Sequence, residues 1–183
     1  MNRVVITGLG VISCLGNDRS EVLSSLRASK SGLSINQDYV DNGMRCHVSG
    51  QVNPDLTTID RKMLRFMSET SAYAFLSTKE AIEDSGLNAE QISNNDVGVI
   101  VGSGTGSSRE LKNVVDTARE KGIKRVGPYA VTRTMGNTTS AAISTFFQTK
   151  GVSFSIASAC STSLHCISSV SYTHLRAHET QFH

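Results

Sequence analysis

No tryptophan occurs in the 183 residues, and neither sign of charge dominates, since 18 Lys and Arg face 16 Asp and Glu for a formal net charge of +2. That balance removes any strong electrostatic case for nucleic-acid binding, although local basic clusters can still select acidic partners. No apolar run approaches the ~20 residues of a membrane-spanning helix. The opening stretch MNRVVITGLG is too short and too Gly-interrupted for a signal peptide. The four cysteines, Cys14, Cys46, Cys160 and Cys166, form neither a CxxC pair nor a metal-ligand spacing. They are expected to be free thiols in a reducing, cytosolic compartment. No repeat period emerges. With 38% hydrophobic residues, the chain is long enough for one domain with a real core.

What is present centres on SIASACSTSLHC, residues 155–166. Cys160 stands among small residues just after an extended run, Val152–Ile156, that reads as a buried strand. A strand-to-helix turn is therefore expected at Cys160. The unpaired N–H groups and the dipole of a helix start favour a thiolate, which can attack a thioester. Small neighbours leave room for a long substrate to reach the sulfur. Free cysteine is also among the most buried residue types, so a packed core thiol stands as the alternative.

Along the chain, Val4–Thr7 has the continuous apolar character of a strand buried on both faces, and Gly8 and Gly10 follow it. A dinucleotide fingerprint is not completed, because Ser13 replaces the third glycine and no acidic strand end follows about 20 residues later. A helix is expected from Asp18, with Glu21 as capping-box partner and Val22, Leu23 and Leu26 buried, ending at Lys30–Gly32. Residues 35–54 read as irregular, with a possible short strand over Cys46–Val52. The spacing of Ala72, Phe75, Leu76, Lys79 and Ile82 predicts a helix over 68–85, closed by Gly86. Val97–Val101 is a second buried strand and runs into GSGTGS, residues 102–107. That loop lacks the Lys-Ser/Thr ending of a P-loop, so close backbone packing is preferred over phosphate binding. A helix from Ser108 is expected to bury Leu111, Val114, Val115 and Ala118 before Gly122. Another, capped by Asn137 or Thr138 and stopped by Gly151, carries Ala141, Ala142, Ile143, Phe146 and Phe147. Strands alternating with helices give an α/β fold with a mainly parallel sheet covered on both faces.

Taken in order, MNRVVITGLGVIS, DRKMLRFMS with YAFLS, VGVIVGSGTGS, VGPYAVT and SIASACSTSLHCI resemble the N-terminal half of the beta-ketoacyl-acyl-carrier-protein synthases, most closely the type I condensing enzymes of bacterial fatty-acid synthesis. The likeness covers Met1 to about Ser168. It implies the N-terminal half of a thiolase-like fold, incomplete here, with Cys160 as the nucleophile. The implied activity is acyltransferase chemistry. An acyl group passes from acyl carrier protein to Cys160, and decarboxylative condensation with malonyl carrier protein gives a 3-oxoacyl product. No metal or redox cofactor is implied. Arg61, Lys62 and Arg65, with Lys121 and Lys124, fall where similar enzymes present basic residues to the acidic carrier protein, against the plain reading of a solvated surface. Met135 matches a position lining the acyl pocket across a homodimer interface. Thr105 departs from the Gly of similar type I enzymes at that pocket. His165 and Cys166 match the pattern as structural residues. A thiolase-like or polyketide ketosynthase, and a non-catalytic carrier-binding or dimerisation module, remain as alternatives.

The resemblance stops near Ile167. Three of the five histidines, His174, His178 and His183, lie in the last ten residues. Tyr172–Thr180 also resembles a string found at the ends of unrelated, prematurely terminated sequences, so residues 169–183 are expected to be a non-native tail. His174 and His178 stand at i and i+4, but no third ligand accompanies them. In the family the decarboxylating histidines and lysine come from the half that follows. This chain is therefore expected not to complete the condensation. The spatial strand order implied is third, second, first, fourth, fifth. Val4–Thr7 would then be an open apolar edge, Val152–Ile156 the dimer edge, and the chain aggregation-prone.

Overall fold

A computed structural model describes residues 3–176. The helices are α1 (Arg19–Arg27), α2 (Gln37–Asp41), α3 (Arg61–Leu64), α4 (Glu69–Ser85), α5 (Ala89–Ile92), α6 (Ser108–Lys121), α7 (Ala130–Thr134), α8 (Thr138–Phe147) and α9 (Thr162–Arg176). The strands are β1 (Leu33–Ile35), β2 (Val48–Gly50), β3 (Val99–Gly102) and β4 (Ser153–Ile156). They divide into two compact units: a smaller one over 7–58 and 76–86, and a larger one holding the remaining described residues.

In the larger unit β3 and β4 pair in parallel, with Val99 opposite Ser153 and Gly102 opposite Ile156. The ladder begins before either strand, since the Val99 N–H donates to the Val152 carbonyl (2.9 Å) and the Gly151 N–H to that of Val97 (2.9 Å). A side chain at Gly98 would collide with the Val152 carbonyl, and one at Gly151 with the Val97 backbone. The two glycines therefore let the strands enter the pair side by side. Helix α8 covers β4. Its run of small residues allows close approach, and the Ser155 hydroxyl donates to that of Ser140 (2.9 Å).

The core of this unit is aromatic at its centre. Phe75, at 1% exposure, meets Phe146 edge-on with centroids 4.5 Å apart and stacks on Phe147 at 5.4 Å. Ile59, Met67, Ala72, Ile92, Ala142, Ile143 and Cys166 are also buried. Beside them runs a buried hydroxyl seam in which Ser71 shares hydrogen bonds with Ser68 (3.2 Å) and Thr139 (3.0 Å). Each hydroxyl finds a partner, so its burial costs little.

The smaller unit holds the antiparallel β1–β2 pair, Leu33 opposite Gly50, in which β2 falls within the short strand expected over Cys46–Val52 while β1 lies where no strand is expected. Asp18 caps α1 by accepting from the Glu21 N–H (2.8 Å). Glu21 reaches back one residue further than a capping box, accepting from the Asn17 N–H (2.7 Å). Arg19 pairs with Asp84 (2.5 Å), and the Arg19 N–H donates to Glu80 (2.8 Å). The Leu9 N–H also donates to Asp84 (2.9 Å), and this bond, ahead of the Arg19 contact, holds the Asp84 carboxyl below its ordinary range.

Several expectations are corrected. Val4–Thr7 is not a strand. From Gly8 onward the backbone lies against α4, where side chains on Gly8 and Gly10 would strike the Ala81 and Ser77 carbonyls. The N–H groups of Leu9 and Val11 are taken by Asp84 and Glu80 instead of by a neighbouring strand. Within the larger unit Val4, Val5 and Ile6 are exposed, Ile6 at 81%, and line an apolar cavity of about 430 Å³ with Ile100, Cys166, Ile167 and Val170. The parallel sheet is two-stranded among the described residues. Helix α1 ends at Arg27 and buries Ser25, whose hydroxyl donates to the Leu15 carbonyl (2.7 Å), while Leu23 and Leu26 are exposed. Helix α6 has no buried residue, and Leu111 and Val115 face out. Helix α8 stops at Gln148, which adopts the left-handed conformation (φ 53°) three residues before Gly151.

Candidate active site at the head of α9

The chain leaves β4 at Ile156 and reverses through Ser158 (φ −150°, ψ 50°) and Ala159 (φ 45°) into a 3-10 turn over Ala159–Ser161 that leads directly into α9. Cys160 occupies the middle of that turn and is exposed. A helix therefore starts immediately behind the thiol, as the strand-turn-helix pattern predicts. Ala159 sits in a region that L-residues other than Asn and Asp visit at a cost, and such residues persist only where their surroundings hold them.

The surroundings are mostly backbone. A Cβ on Gly104 would lie 2.8 Å from the Ala159 carbonyl oxygen and 3.0 Å from its Cα, and one on Gly102 would lie 2.8 Å from the Thr162 Cγ2. The GSGTGS loop is thus bare because it lies directly on the Cys160 turn. Close packing is its role, as its composition suggests. On its other side a Cβ on Gly106 would lie 3.8 Å from the Gly136 Cα and from the Thr134 carbonyl oxygen, next to Met135. Thr70 donates to the Gly106 carbonyl (3.4 Å), and the Gly106 N–H donates to Ser103 Oγ (3.1 Å).

Thr105 and Met135 are both exposed, Met135 at 45%, on segments that adjoin this one loop. The structure therefore gathers the segments of Cys160, Thr105 and Met135 around residues 102–107. His165 is exposed on α9, whereas Cys166 is buried and its thiol is pushed up by desolvation. The two neighbouring cysteines are thus distinguished by access. His174 is exposed near the end of α9, and His178 and His183 lie outside the described residues. Among the described residues, no cluster of three or more His, Cys, Asp or Glu could hold a metal ion.

The basic residues form two exposed groups on the same unit. Arg61 and Lys62 lie on α3, whose N-cap Asp60 accepts from the Lys62 N–H (2.6 Å), and Arg65 closes that helix. Lys121 ends α6, and Lys124 lies in the 3-10 turn 123–125 packed against α6. A link between the groups comes from α7, which sequence reading missed. The Arg133 Nε donates to the Arg65 carbonyl (2.9 Å), its guanidinium lies 3.8 Å from Glu110 of α6, and Tyr129 meets Phe66 edge-on at 4.8 Å. Nothing in the pattern AVTRT marks Arg133 as a strut.

A family model for the N-terminal domain of beta-ketoacyl synthases matches residues 1–182. The 3-oxoacyl-[acyl-carrier-protein] synthase 1 of Escherichia coli strain K12 is 52% identical over 170 residues, covering 91% of this chain and 42% of that protein. The chain thus spans less than half the length of the curated relatives it matches. A beta-ketoacyl synthase from Burkholderia phymatum STM815 shares the fold with a TM-score of 0.79 at 24% identity, covering 99% of this chain and 45% of that one. A ketosynthase solved with its type II PKS acyl-carrier protein shares it with a TM-score of 0.73 at 21% identity, covering 94% and 46%. With the family's N-terminal domain matched from residue 1 to residue 182, the chain belongs to the beta-ketoacyl synthase family.

Proposed function

We propose that this chain carries the acyl-accepting half of a 3-oxoacyl-[acyl-carrier-protein] synthase of fatty-acid synthesis, with Cys160 as the nucleophile. The observation that carries the reading is the exposed thiol at the head of α9, in a turn seated on a bare glycine loop. The Cys160 thiolate attacks the carbonyl carbon of an acyl thioester, a new sulfur–carbon bond forms, and the carrier's pantetheine thiolate leaves and takes up a proton. The N–H of Cys160, at a helix start, would donate to the oxyanion formed on the way. Completing the cycle requires decarboxylation of malonyl carrier protein and attack of the resulting carbanion on the acyl-enzyme. The chain alone is proposed to stop at the acyl-enzyme.

The partner is an acidic acyl carrier protein received on Arg61, Lys62, Arg65, Lys121 and Lys124. The exposure of all five on one unit supports this, as does the carrier protein bound to the related ketosynthase. Thr105 and Met135 border the acyl chain. A cytoplasmic homodimer joined along β4 belongs to the same proposal, and the exposure of Val152 and Phe154 on that edge favours it. No helix of the described residues is long and apolar enough to cross a membrane. A boundary near Ser168 is proposed on the histidine-rich composition of 169–183 alone, since α9 runs on to Arg176 and the family match to residue 182.

The test is incubation of the chain with an acyl-loaded carrier protein, followed by peptide mass mapping. An acyl adduct on Cys160 and on no other cysteine is expected, without 3-oxoacyl product when malonyl carrier protein is added. An adduct distributed over Cys46 and Cys160 alike would remove Cys160 as a selected nucleophile. Release of 3-oxoacyl product would overturn the restriction to one half-reaction.

A further inference from the structure

Cys160 is held by a turn closed by a backbone hydrogen bond, from the Ser161 N–H to the Ser158 carbonyl (2.9 Å), and braced by one side chain, Thr162. The Thr162 hydroxyl accepts from the Ser158 N–H (2.8 Å) and donates to the Ala159 carbonyl (2.8 Å), so it spans the residues on the N-terminal side of the thiol. The Thr162 N–H donates to that same Ala159 carbonyl. At 3% exposure the hydroxyl is out of reach of bulk water, and no solvent molecule can take over its bonds. On the other side its methyl group faces Gly102 at the end of β3, where a Cβ would lie 2.8 Å away. A valine in its place would fill the same volume while making neither bond. The Ser158 N–H and one of the two bonds to the Ala159 carbonyl would then be lost, at the residue whose φ of 45° aims the next peptide, that of Cys160.

We propose that Thr162 is a positioning residue for the nucleophile. Its hydroxyl locks the Ser158–Ala159 segment so that the Cys160 thiol and N–H stand at the head of α9 in one orientation. This inference rests on the assignment of Cys160 as the nucleophile. It adds the group that sets the orientation of that thiol, and the conformation of Ala159 shows what the orientation has to hold. Gly104 acts in the same device from the opposite face, because only a residue without a side chain lets the loop backbone bear on the Ala159 carbonyl.

The test is the rate of iodoacetamide labelling, resolved by peptide mass spectrometry at Cys160, Cys14, Cys46 and Cys166 in the same 183-residue chain. A thermal melt monitored by circular dichroism is recorded for each variant. In the unaltered protein Cys160 labels faster than Cys46, which is also exposed. In Thr162→Val, Cys160 labelling falls by about tenfold, on the scale of two forfeited hydrogen bonds, while Cys46 labels at its original rate. Thr162→Ser keeps the hydroxyl and restores the rate to within about twofold, a rescue that loss of packing alone would not give. Gly104→Ala, which leaves Thr162 intact, slows Cys160 as well and serves where the valine variant does not fold. Fast Cys160 in the unaltered chain with undiminished labelling in folded Thr162→Val, or in Gly104→Ala, overturns the positioning role and leaves the nucleophile standing. Equal slowing in the serine and valine variants also overturns it, since the hydroxyl would not be the determinant. Slow Cys160 in the unaltered chain overturns the nucleophile assignment and the positioning role together.

Discussion

Replacing Ala159 by glycine should make the protein more stable, and the size of the gain follows from the backbone. Ala159 and Gln148 adopt nearly the same left-handed φ, 45° and 53°, and both are exposed, so neither substitution forfeits buried side-chain surface. A left-handed L-residue costs roughly 1–2 kcal/mol, and glycine escapes that cost. Glycine also enlarges the conformational freedom of the unfolded chain, which offsets about 0.4–1 kcal/mol of the gain. The net is a stabilisation of about 0.5–1 kcal/mol, or roughly 1–4 °C in melting temperature for a domain of this size. The assay is a calorimetric melt of Ala159→Gly beside Gln148→Gly. The second variant relieves the same backbone cost at the end of α8, away from the Cys160 turn. Both should rise. If Gln148→Gly gains stability and Ala159→Gly loses it by 1 kcal/mol or more, the Cys160 turn is not carrying backbone strain and the reasoning fails.

Two further outcomes follow from the ion pairs and the basic face. The Asp84 carboxyl, lowered first by the Leu9 N–H and then by Arg19, favours the folded state above its unfolded value of about 4, and that contribution is lost as pH falls through its lower folded value. Asp84→Asn should therefore show a flatter loss of urea midpoint between about pH 5 and pH 2 than the unaltered protein, and a parallel pair of curves would refute the linkage. Reversal of Lys121 and Lys124 to Glu should weaken binding of an acidic carrier protein by about tenfold at low salt, mostly through the association rate, and the deficit should shrink as salt rises. A salt-independent loss, read by surface plasmon resonance, would point to a damaged fold instead of a charged docking face.

The parts of the fold that could be read from the sequence are those fixed by local periodicity. Helix α4 follows from the spacing of Ala72 and Phe75 and from Gly86, which takes a φ of 71° just past its end. β3 and β4 follow from short apolar runs bounded by glycine. The strand-turn-helix around Cys160 follows for the same reason. Where apolar side chains end up was less legible. Leu23, Leu26 and Leu111 have helical spacing yet face outward, because periodicity marks a face without supplying the element that covers it. Val4–Thr7 reads as a strand by composition, but a strand needs a ladder, and the N–H groups beyond it bond to carboxylates on α4. Thr162 and Arg133 escaped notice because their partners are backbone atoms, Ser158 N–H, Ala159 C=O and Arg65 C=O, which no residue letter records.

The parallel pairing of β3 with β4 also sets an order of events in folding. The strands are joined only across α6, α7 and α8, so the loop holding Gly104 and the turn holding Cys160 meet after that whole crossover has closed. Contacts between distant parts of the sequence form slowly, because loop-closure entropy is lost before the pairing compensates for it. On the ribosome β3 emerges well before the strand it pairs with, which lies beyond α8. The seat of Cys160 therefore assembles only once β4 has joined β3, and a chain short of that pairing has no shaped turn in which to present the thiol.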